Sequence, residues 1–258
     1  MTIRISTRAR AAALGFVAVS TLCVSALAVA ADSVSPAAAA AVADTSRPDA
    51  DRARDVDRKP AEVVSFAGIK PGDKVAEVMP GGGYFTRIFS KTVGDKGVVF
   101  AMVPARPATA PANAPDFAAG VKAIAASPGY GNIRVVAMEG EKFDPVDVAW
   151  TSLNYHDFHN RPNADLVAFN KNIFNTLKPG GVYIVIDHAA QDGSGARDTS
   201  TLHRIDPALV KSEVTQAGFE YVGESTALRN PADAKDKGVR EVPRGKSDQF
   251  VYKFRRPM

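Results

Sequence analysis

Cysteine is almost absent from this sequence of 258 residues, which contains only Cys23. That residue lies within residues 11–30, an apolar run long enough to cross a membrane. A basic segment without acids precedes the run, and residues 28–30 (Ala-Val-Ala) match the small-x-small pattern that signal peptidase reads. We therefore expect residues 1–30 to be a cleaved signal peptide and the mature protein to be periplasmic or secreted. The alternative is an uncleaved membrane anchor.

A chain cleaved after Ala30 has no cysteine, which excludes disulfides, thiolate metal sites and a cysteine nucleophile. The leader holds Arg4, Arg8 and Arg10 and no acid, so its removal lowers the formal net charge from +4 to +1. A charge this close to zero gives no argument for binding nucleic acid or anionic lipid. We expect a small-molecule substrate, no nucleic-acid partner and no stable membrane insertion after cleavage.

The rest of the chain divides at residue 46. Residues 31–45 are rich in alanine without apolar periodicity, which predicts a flexible spacer. In residues 46–258 apolar runs alternate with helical patterns, which predicts one α/β domain. The predicted strands are residues 74–79, 98–103, 133–137, 146–153, 182–186, 219–225 and 249–254.

The order of these elements predicts a Rossmann-like fold. Five apolar strands separated by helical stretches favour a mostly parallel, seven-stranded sheet with helices on both faces. Asn163 is predicted to cap the helix before the fifth strand, and residues 178–181 (Lys-Pro-Gly-Gly) are predicted to end that helix. The last two strands have no helix between them, which predicts an antiparallel hairpin at the C-terminal edge.

A glycine turn follows the first predicted strand. Gly81, Gly82 and Gly83 leave no side chain over this turn, so a ligand can reach the backbone N–H groups at the helix start. Glu77 at the strand end can accept hydrogen bonds from hydroxyl or amino groups of that ligand. Open α/β sheets bind ligands beyond the carboxyl ends of their strands, which favours a binding site. The alternative is a turn needed only for packing, with Glu77 solvated.

All the histidines of the sequence follow strands four and five, and we expect them at one edge of the sheet with Asp157 and Asp187. They are His156, His159, His188 and His203. In one hypothesis His156 or His188 is a general base. In a second, several histidines and a carboxylate bind a divalent metal, although His-Asp-x-His is not a diagnostic metal motif. In a third, they fill polar gaps while the acids cap loops.

Two polar residues after the fourth strand and one arginine have open roles. Asn154 and Tyr155 could orient an amine or hydroxyl substrate. Alternatively, Tyr155 is a buried aromatic whose hydroxyl is satisfied within the protein. Arg204 could hold an anionic group, since guanidinium matches carboxylate geometry.

Several motifs together resemble one enzyme family. Glu77-x-x-x-Gly81-x-Gly83 resembles the first motif of the class I S-adenosylmethionine-dependent methyltransferases, and Leu177-Lys178-Pro179-Gly180-Gly181 resembles their turn into the fifth strand. Further segments resemble a group of exported, predicted methyltransferases of unassigned substrate, over nearly the whole mature chain. Those segments are Pro80–Tyr84, Asn154–Asp157, Asp187-His188, His203-Arg204 and Ser247–Phe250.

The resemblance implies S-adenosylmethionine as the cofactor and no metal. It implies that the cofactor is bound by Glu77, Gly81, Gly82, Gly83, Tyr84 and Asn154, with Glu139 or Glu141 at the adenine. From their positions after strands four and five, we expect a catalytic set of Tyr155, His156, Asp157 and His188. The sequence departs from the family at two places: Met79 replaces the usual first glycine, and residues 101–106 after the second strand lack the acid that binds the ribose.

Three functions remain open at this point. The first is an exported methyltransferase-like protein that acts on a small-molecule acceptor with a histidine general base. The second is a metal-dependent hydrolase or lyase that uses the histidine and aspartate residues. The third is a non-catalytic module that binds a nucleotide-like ligand.

Overall fold

The computed structural model describes residues 1–2, 33–107 and 109–258. The predicted signal peptide therefore lies outside the described residues, apart from its first two. Within the described part of the chain, no helix combines the length and the hydropathy needed to cross a bilayer.

Residues 33–258 form a single sheet flanked by helices. The strands are β1 (Lys74–Val78), β2 (Val98–Val103), β3 (Ile133–Ala137), β4 (Val146–Ser152), β5 (Leu177–His188), β6 (Glu220–Ser225) and β7 (Gln249–Arg255). The helices are α1 (Pro36–Ala43), α2 (Asp49–Arg52), α3 (Asp55–Arg58), α4 (Pro60–Ala67), α5 (Tyr84–Val93), α6 (Ala119–Ala125), α7 (Tyr155–His159), α8 (Leu166–Thr176) and α9 (Pro207–Gln216).

The sheet has the order β3-β2-β1-β4-β5-β7-β6. Its first five strands are parallel, and β7 runs antiparallel to both β5 and β6. The predicted α/β, Rossmann-like sheet with an antiparallel C-terminal edge is confirmed. Strand order reverses at β1, which lies between β2 and β4, so a crevice opens at the carboxyl end of β1.

Each face of the sheet has its own core, because neighbouring strand residues point to opposite sides. On one face, Trp150 of β4 is fully buried against Phe85 and Phe89 of α5, with ring centroids 4.9 and 5.0 Å apart. This core also takes in side chains of α1, α4 and α6. The opposite core joins Tyr183 of β5 to α7, α8 and α9. Helices therefore cover both faces of the sheet.

The prediction of a flexible spacer is wrong for most of residues 31–45, because Pro36–Ala43 form helix α1. The hydroxyl of Ser35 accepts a hydrogen bond from the backbone N–H of Ala38 and so caps α1. Ala38 and Ala41 are buried, and α1 packs against α4 and α5. A stripe of alanines gives almost no contrast between apolar and polar faces, so periodicity could not reveal this helix.

Two other sequence expectations need correction around β5. The helix before β5 is capped by Asp165 rather than Asn163, since the Asp165 side chain accepts from the N–H of Ala168. The helix ends before residues 178–181 as predicted, but the fifth strand begins at Leu177 rather than at residue 182, and Gly180 and Gly181 pair with Arg256 just after β7.

The packing of α1 can be tested with two alanines on opposite sides of the helix. We expect Ala38→Glu to lower the free energy of unfolding by about 3 kcal/mol, because it buries an unpaired charge in a close-packed site. The matched change Ala40→Glu lies on the exposed side and should have little effect. Urea unfolding followed by circular dichroism measures both, and equal stabilities of the two variants would contradict the packed helix.

Candidate functional site

The backbone after β1 bends through a run of left-handed residues. Met79, Gly81 and Gly83 have φ angles of 52°, 58° and 78°. Met79, the residue that replaces the family's usual first glycine, therefore keeps the conformation that a glycine would adopt there. A non-glycine residue pays about 1–2 kcal/mol for that conformation. The turn geometry is retained despite the departure in sequence.

The three glycines of the turn have different roles. A Cβ on Gly81 or Gly82 would meet nothing within 4 Å, so these two face open space. A Cβ on Gly83 would lie 2.2 Å from Cδ1 of Ile124. Gly81 and Gly82 thus leave room for a ligand, whereas Gly83 serves the close packing of α5 against α6.

A cavity of about 310 Å³ lies over this turn. We call it the turn cavity. Its wall contains Gly81, Gly82, Glu77 and Asn154, together with Tyr84 and Met79. Six of the seven residues that the resemblance assigns to cofactor binding therefore lie together at the turn, and five of them line the cavity. Its volume falls within the range of small-molecule sites.

Glu77 is buried in the wall of the turn cavity. Its carboxylate accepts a hydrogen bond from the Thr86 hydroxyl at 2.5 Å. Burial raises the pKa of Glu77 to about 8, although the Thr86 hydrogen bond and the positive charge of Arg58 oppose this shift. A cationic ligand group in the cavity would favour the ionised carboxylate.

Asn154 joins the ends of β4 and β1. Its amide nitrogen donates to the carbonyls of Val78 and Met79, at 3.2 and 3.3 Å, and its amide oxygen accepts from the Thr151 hydroxyl. This side chain therefore holds the carbonyls of the strained bend in place, and it also forms part of the cavity wall.

A second cavity of about 770 Å³ adjoins the first. We call it the outer cavity. Arg54, Arg58 and Leu153 line both cavities, and His188 and Ser247 line the outer one. The site thus has two compartments with two guanidinium groups in the wall between them.

The two arginines of the shared wall lie over one aromatic ring. The guanidinium carbons of Arg54 and Arg58 are 5.1 and 4.6 Å from the ring centroid of Tyr84. The Tyr84 hydroxyl donates to Asp55 at 2.6 Å, which fixes the ring. Burial and the neighbouring charge of Arg54 lower the pKa of Arg58 to about 10. Neither arginine is among the predicted site residues. The signal that could have found them is their spacing, because like charges four residues apart on a helix repel each other.

His188 is the one predicted catalytic residue that lines either cavity. Its Nδ1 lies 2.9 Å from the hydroxyl of Ser247. Burial lowers the pKa of His188 to about 4, with the charges of His156, Arg204 and Arg58 acting in the same direction and the charge of Asp187 opposing it. The ring is therefore neutral at neutral pH.

His156 and Asp157 lie beside the cavities, in a cluster with Asp187 and His203. The Nδ1 of His156 is 2.8 Å from Oδ1 of Asp187, and its Nε2 is 3.3 Å from Oδ1 of Asp157. The Nδ1 of His203 is 3.9 Å from that same Asp157 oxygen. Burial opposes the charged form of His156, but the hydrogen bond and charge of Asp187 outweigh it and raise its pKa.

Tyr155 and His159 face away from the site, so the predicted gathering of four histidines holds for three of them. The Tyr155 hydroxyl donates to Glu213 at 2.9 Å and accepts from Asn170 at 2.7 Å. His159 Nε2 contacts the same Glu213 carboxylate at 3.2 Å. Tyr155 is fully buried, which matches the alternative of a satisfied aromatic rather than a catalytic phenol.

The predicted adenine acids and Arg204 also lie elsewhere. The exposed carboxylates of Glu139 and Glu141 accept hydrogen bonds from the backbone N–H groups of Ala105 and Ala137, and neither lines the turn cavity. Arg204 is fully buried and pairs with Asp233 at 2.7 Å, so it ties down the loop between β6 and β7. The partners of Glu139 and Arg204 lie 34 and 29 residues away in sequence, which is why spacing could not place these two side chains.

The sequence matches no protein-family model and no curated protein significantly. Solved structures do match. A S-adenosylmethionine-dependent methyltransferase from Aquifex aeolicus covers 81% of this chain and 95% of its own, with a TM-score of 0.57 and 18% identity. The arsenic(III) S-adenosylmethionine methyltransferase CrArsM from Chlamydomonas reinhardtii aligns over 86% of this chain and 74% of its own, with a TM-score of 0.53 and 18% identity. The [4+2]-cyclase SpnF covers 81% of both chains, with a TM-score of 0.56 and 15% identity.

The fold is that of the class I S-adenosylmethionine-dependent methyltransferases. The resemblance drawn from the sequence motifs is confirmed at the level of the fold. The turn cavity lies at the carboxyl end of β1, where the strand order reverses.

The separate roles of the glycines can be measured. We expect Gly83→Ala to lower the free energy of unfolding by about 1–2 kcal/mol, because alanine is strained at this φ and its methyl group meets Ile124. Gly82→Ala should change stability by no more than about 0.5 kcal/mol, because its Cβ enters open space. Thermal unfolding of both variants tests this, and an equal loss in the two would contradict the assignment.

Proposed function

We propose that the protein is an exported enzyme that transfers a methyl group from S-adenosylmethionine to a small-molecule acceptor. The observation that carries the proposal is the turn cavity, with Gly81 and Gly82 open to a ligand and Glu77 in the wall. The fold alone would not be enough, because the matched structures include one described as a [4+2]-cyclase.

The residues of the turn cavity fit the charges of this cofactor. S-adenosylmethionine has a sulfonium and an ammonium group, which an ionised Glu77 would favour. It also has a carboxylate, which Arg54 or Arg58 in the shared wall can bind. When bound, it supplies an electrophilic methyl group. Val103 and Pro104, at the end of β2, give the cavity an apolar wall there, so ribose recognition differs from the usual acid.

The outer cavity suits the acceptor. His188 lines it, and its low pKa keeps the ring uncharged at neutral pH. If Nδ1 donates to the Ser247 hydroxyl, Nε2 has a free lone pair for the proton that the acceptor loses. We therefore assign the general base to His188 rather than to His156, whose two ring nitrogens face carboxylates.

The two other functions drawn from the sequence have less support. A hydrolase or lyase that works through the histidine cluster leaves the turn cavity without a role. A binding module explains the cavity equally well and differs only in turnover. Adding the small-molecule fraction of a culture to the protein and S-adenosylmethionine separates them, because only an enzyme forms S-adenosylhomocysteine.

Glu77 makes cofactor binding dependent on pH. Its carboxyl is mostly protonated below a pKa of about 8 in the free protein, and binding of a cation favours the ionised form, so affinity should rise with pH. We expect S-adenosylmethionine to bind roughly tenfold more tightly at about pH 7.5 than at about pH 6, measured by calorimetry.

Two variants serve as controls for this effect. Glu77→Gln should bind weakly with no pH dependence over that range. Glu139→Gln removes an exposed acid outside the turn cavity and should keep the wild-type dependence. An absence of binding by the wild type, or the same pH dependence in Glu77→Gln, would overturn the proposed cofactor site.

Export can be tested with a fusion. Residues 1–45 joined to alkaline phosphatase, which is active only after export to a disulfide-forming compartment, should give active enzyme. Replacing Arg4, Arg8 and Arg10 with glutamate should abolish that activity. The exported full-length protein should begin at Ala31 by N-terminal sequencing. An intact leader in the membrane fraction would support the anchor instead.

A further inference from the structure

A group of potential metal ligands lies beside the two cavities. Among the described residues, one ring nitrogen each of His156 and His203 and a carboxylate oxygen of Asp157 all lie within 4.8 Å of one another. We call this group the histidine–aspartate cluster. His156 is buried, whereas the side chain of Asp157 is 56% exposed and that of His203 is 31% exposed. The cluster therefore opens to solvent on one side.

Asp187 fixes the orientation of the His156 ring. Its fully buried carboxylate receives the backbone N–H of His156 at 2.8 Å and contacts Nδ1 at 2.8 and 3.0 Å. In the neutral ring the proton is then on Nδ1, and the lone pair of Nε2 points at the cluster. A buried carboxylate that binds the far nitrogen of an imidazole is the usual support for a metal-binding histidine.

The position of Nε2 of His156 next to a carboxylate oxygen favours a positive charge between the two atoms. The lone pair of Nε2 faces the Asp157 oxygen at 3.3 Å, and two electron-rich atoms at that distance repel each other. Either a proton or a metal ion between them removes this repulsion. Two ligands bound to one tetrahedral zinc ion at about 2.0–2.1 Å lie about 3.4 Å apart, which matches the observed separation. The Nδ1 of His203 is 3.9 Å from that Asp157 oxygen, and the ligand atoms of all three residues lie within 4.8 Å of one another, so His203 completes this arrangement with a shift of about 0.5 to 1.4 Å.

We propose that His156, Asp157 and His203 bind one divalent transition-metal ion of the zinc class. This site is separate from the turn cavity and does not depend on the proposed methyl transfer. Two imidazoles and one carboxylate favour zinc or a similar ion over magnesium or calcium, which prefer oxygen ligands. Three protein ligands leave one position of a tetrahedral ion free, on the side where Asp157 is exposed. The ion can therefore bind water or an oxygen atom of an external ligand.

Metal binding can be measured without any assay of activity. Untagged protein is dialysed against a chelator and titrated with zinc in competition with a chromogenic chelator. We expect one zinc ion per chain. Asp157→Asn and His203→Gln should each weaken zinc binding by at least about tenfold. Both side chains are partly exposed, so these variants should fold, and circular dichroism checks this.

A neighbouring histidine provides the matched control. His159 lies on the same short helix but contacts Glu213, so His159→Gln should keep the wild-type affinity. Cobalt should give a tetrahedral absorption band in the visible region with the wild type and His159→Gln, and not with His203→Gln. If a proton rather than a metal occupies the cluster, zinc binds the wild type no more tightly than the cluster variants. That result would overturn the proposal, and so would binding lost only in His159→Gln.

Discussion

The left-handed backbone at Met79 is the constraint on which the candidate site depends. It begins the turn that carries Gly81 and Gly82, which face open space and line the turn cavity. Three contacts offset its cost: the Met79 N–H donates to Met102 at 2.9 Å, and Asn154 binds the carbonyls of Val78 and Met79. These contacts tie β1 to both of its neighbours, β2 and β4. The strain is therefore held by the sheet itself, as is common at functional sites.

Much of the fold follows from local sequence, because the strands are apolar runs bounded by turn residues. The bounds of β2 and β3 agree with the prediction residue for residue. The alanine helix α1 was not predicted, because its burial depends on α5, which lies far away in the sequence. The same reason limits the prediction of the site. Parallel topology predicts that the strand ends share one edge of the sheet, but it does not predict side-chain partners, such as Glu213 for His159 and Asp187 for His156.

Asp187 organises the polar half of the site. One buried carboxylate receives the N–H groups of His156 and His188 and contacts the His156 ring. The two histidines nevertheless have pKa shifts of opposite direction: that of His156 is raised and that of His188 falls to about 4. His156 has carboxylates at both ring nitrogens, whereas His188 is half-buried beside a serine hydroxyl. Groups whose pKa values are driven apart in this way can take different roles.

The arginines of the shared wall add a requirement for negative charge. Among the described residues, neither Arg54 nor Arg58 has a carboxylate within ion-pair distance, and the depressed pKa of Arg58 reports the cost of burying like charges together. The Tyr84 ring compensates only in part, since a cation–π contact is worth about 0.5–2 kcal/mol. An anionic group would relieve the remaining repulsion. Since both arginines line both cavities, that group can belong to a ligand in either compartment, and its binding in one would alter the electrostatic potential in the other.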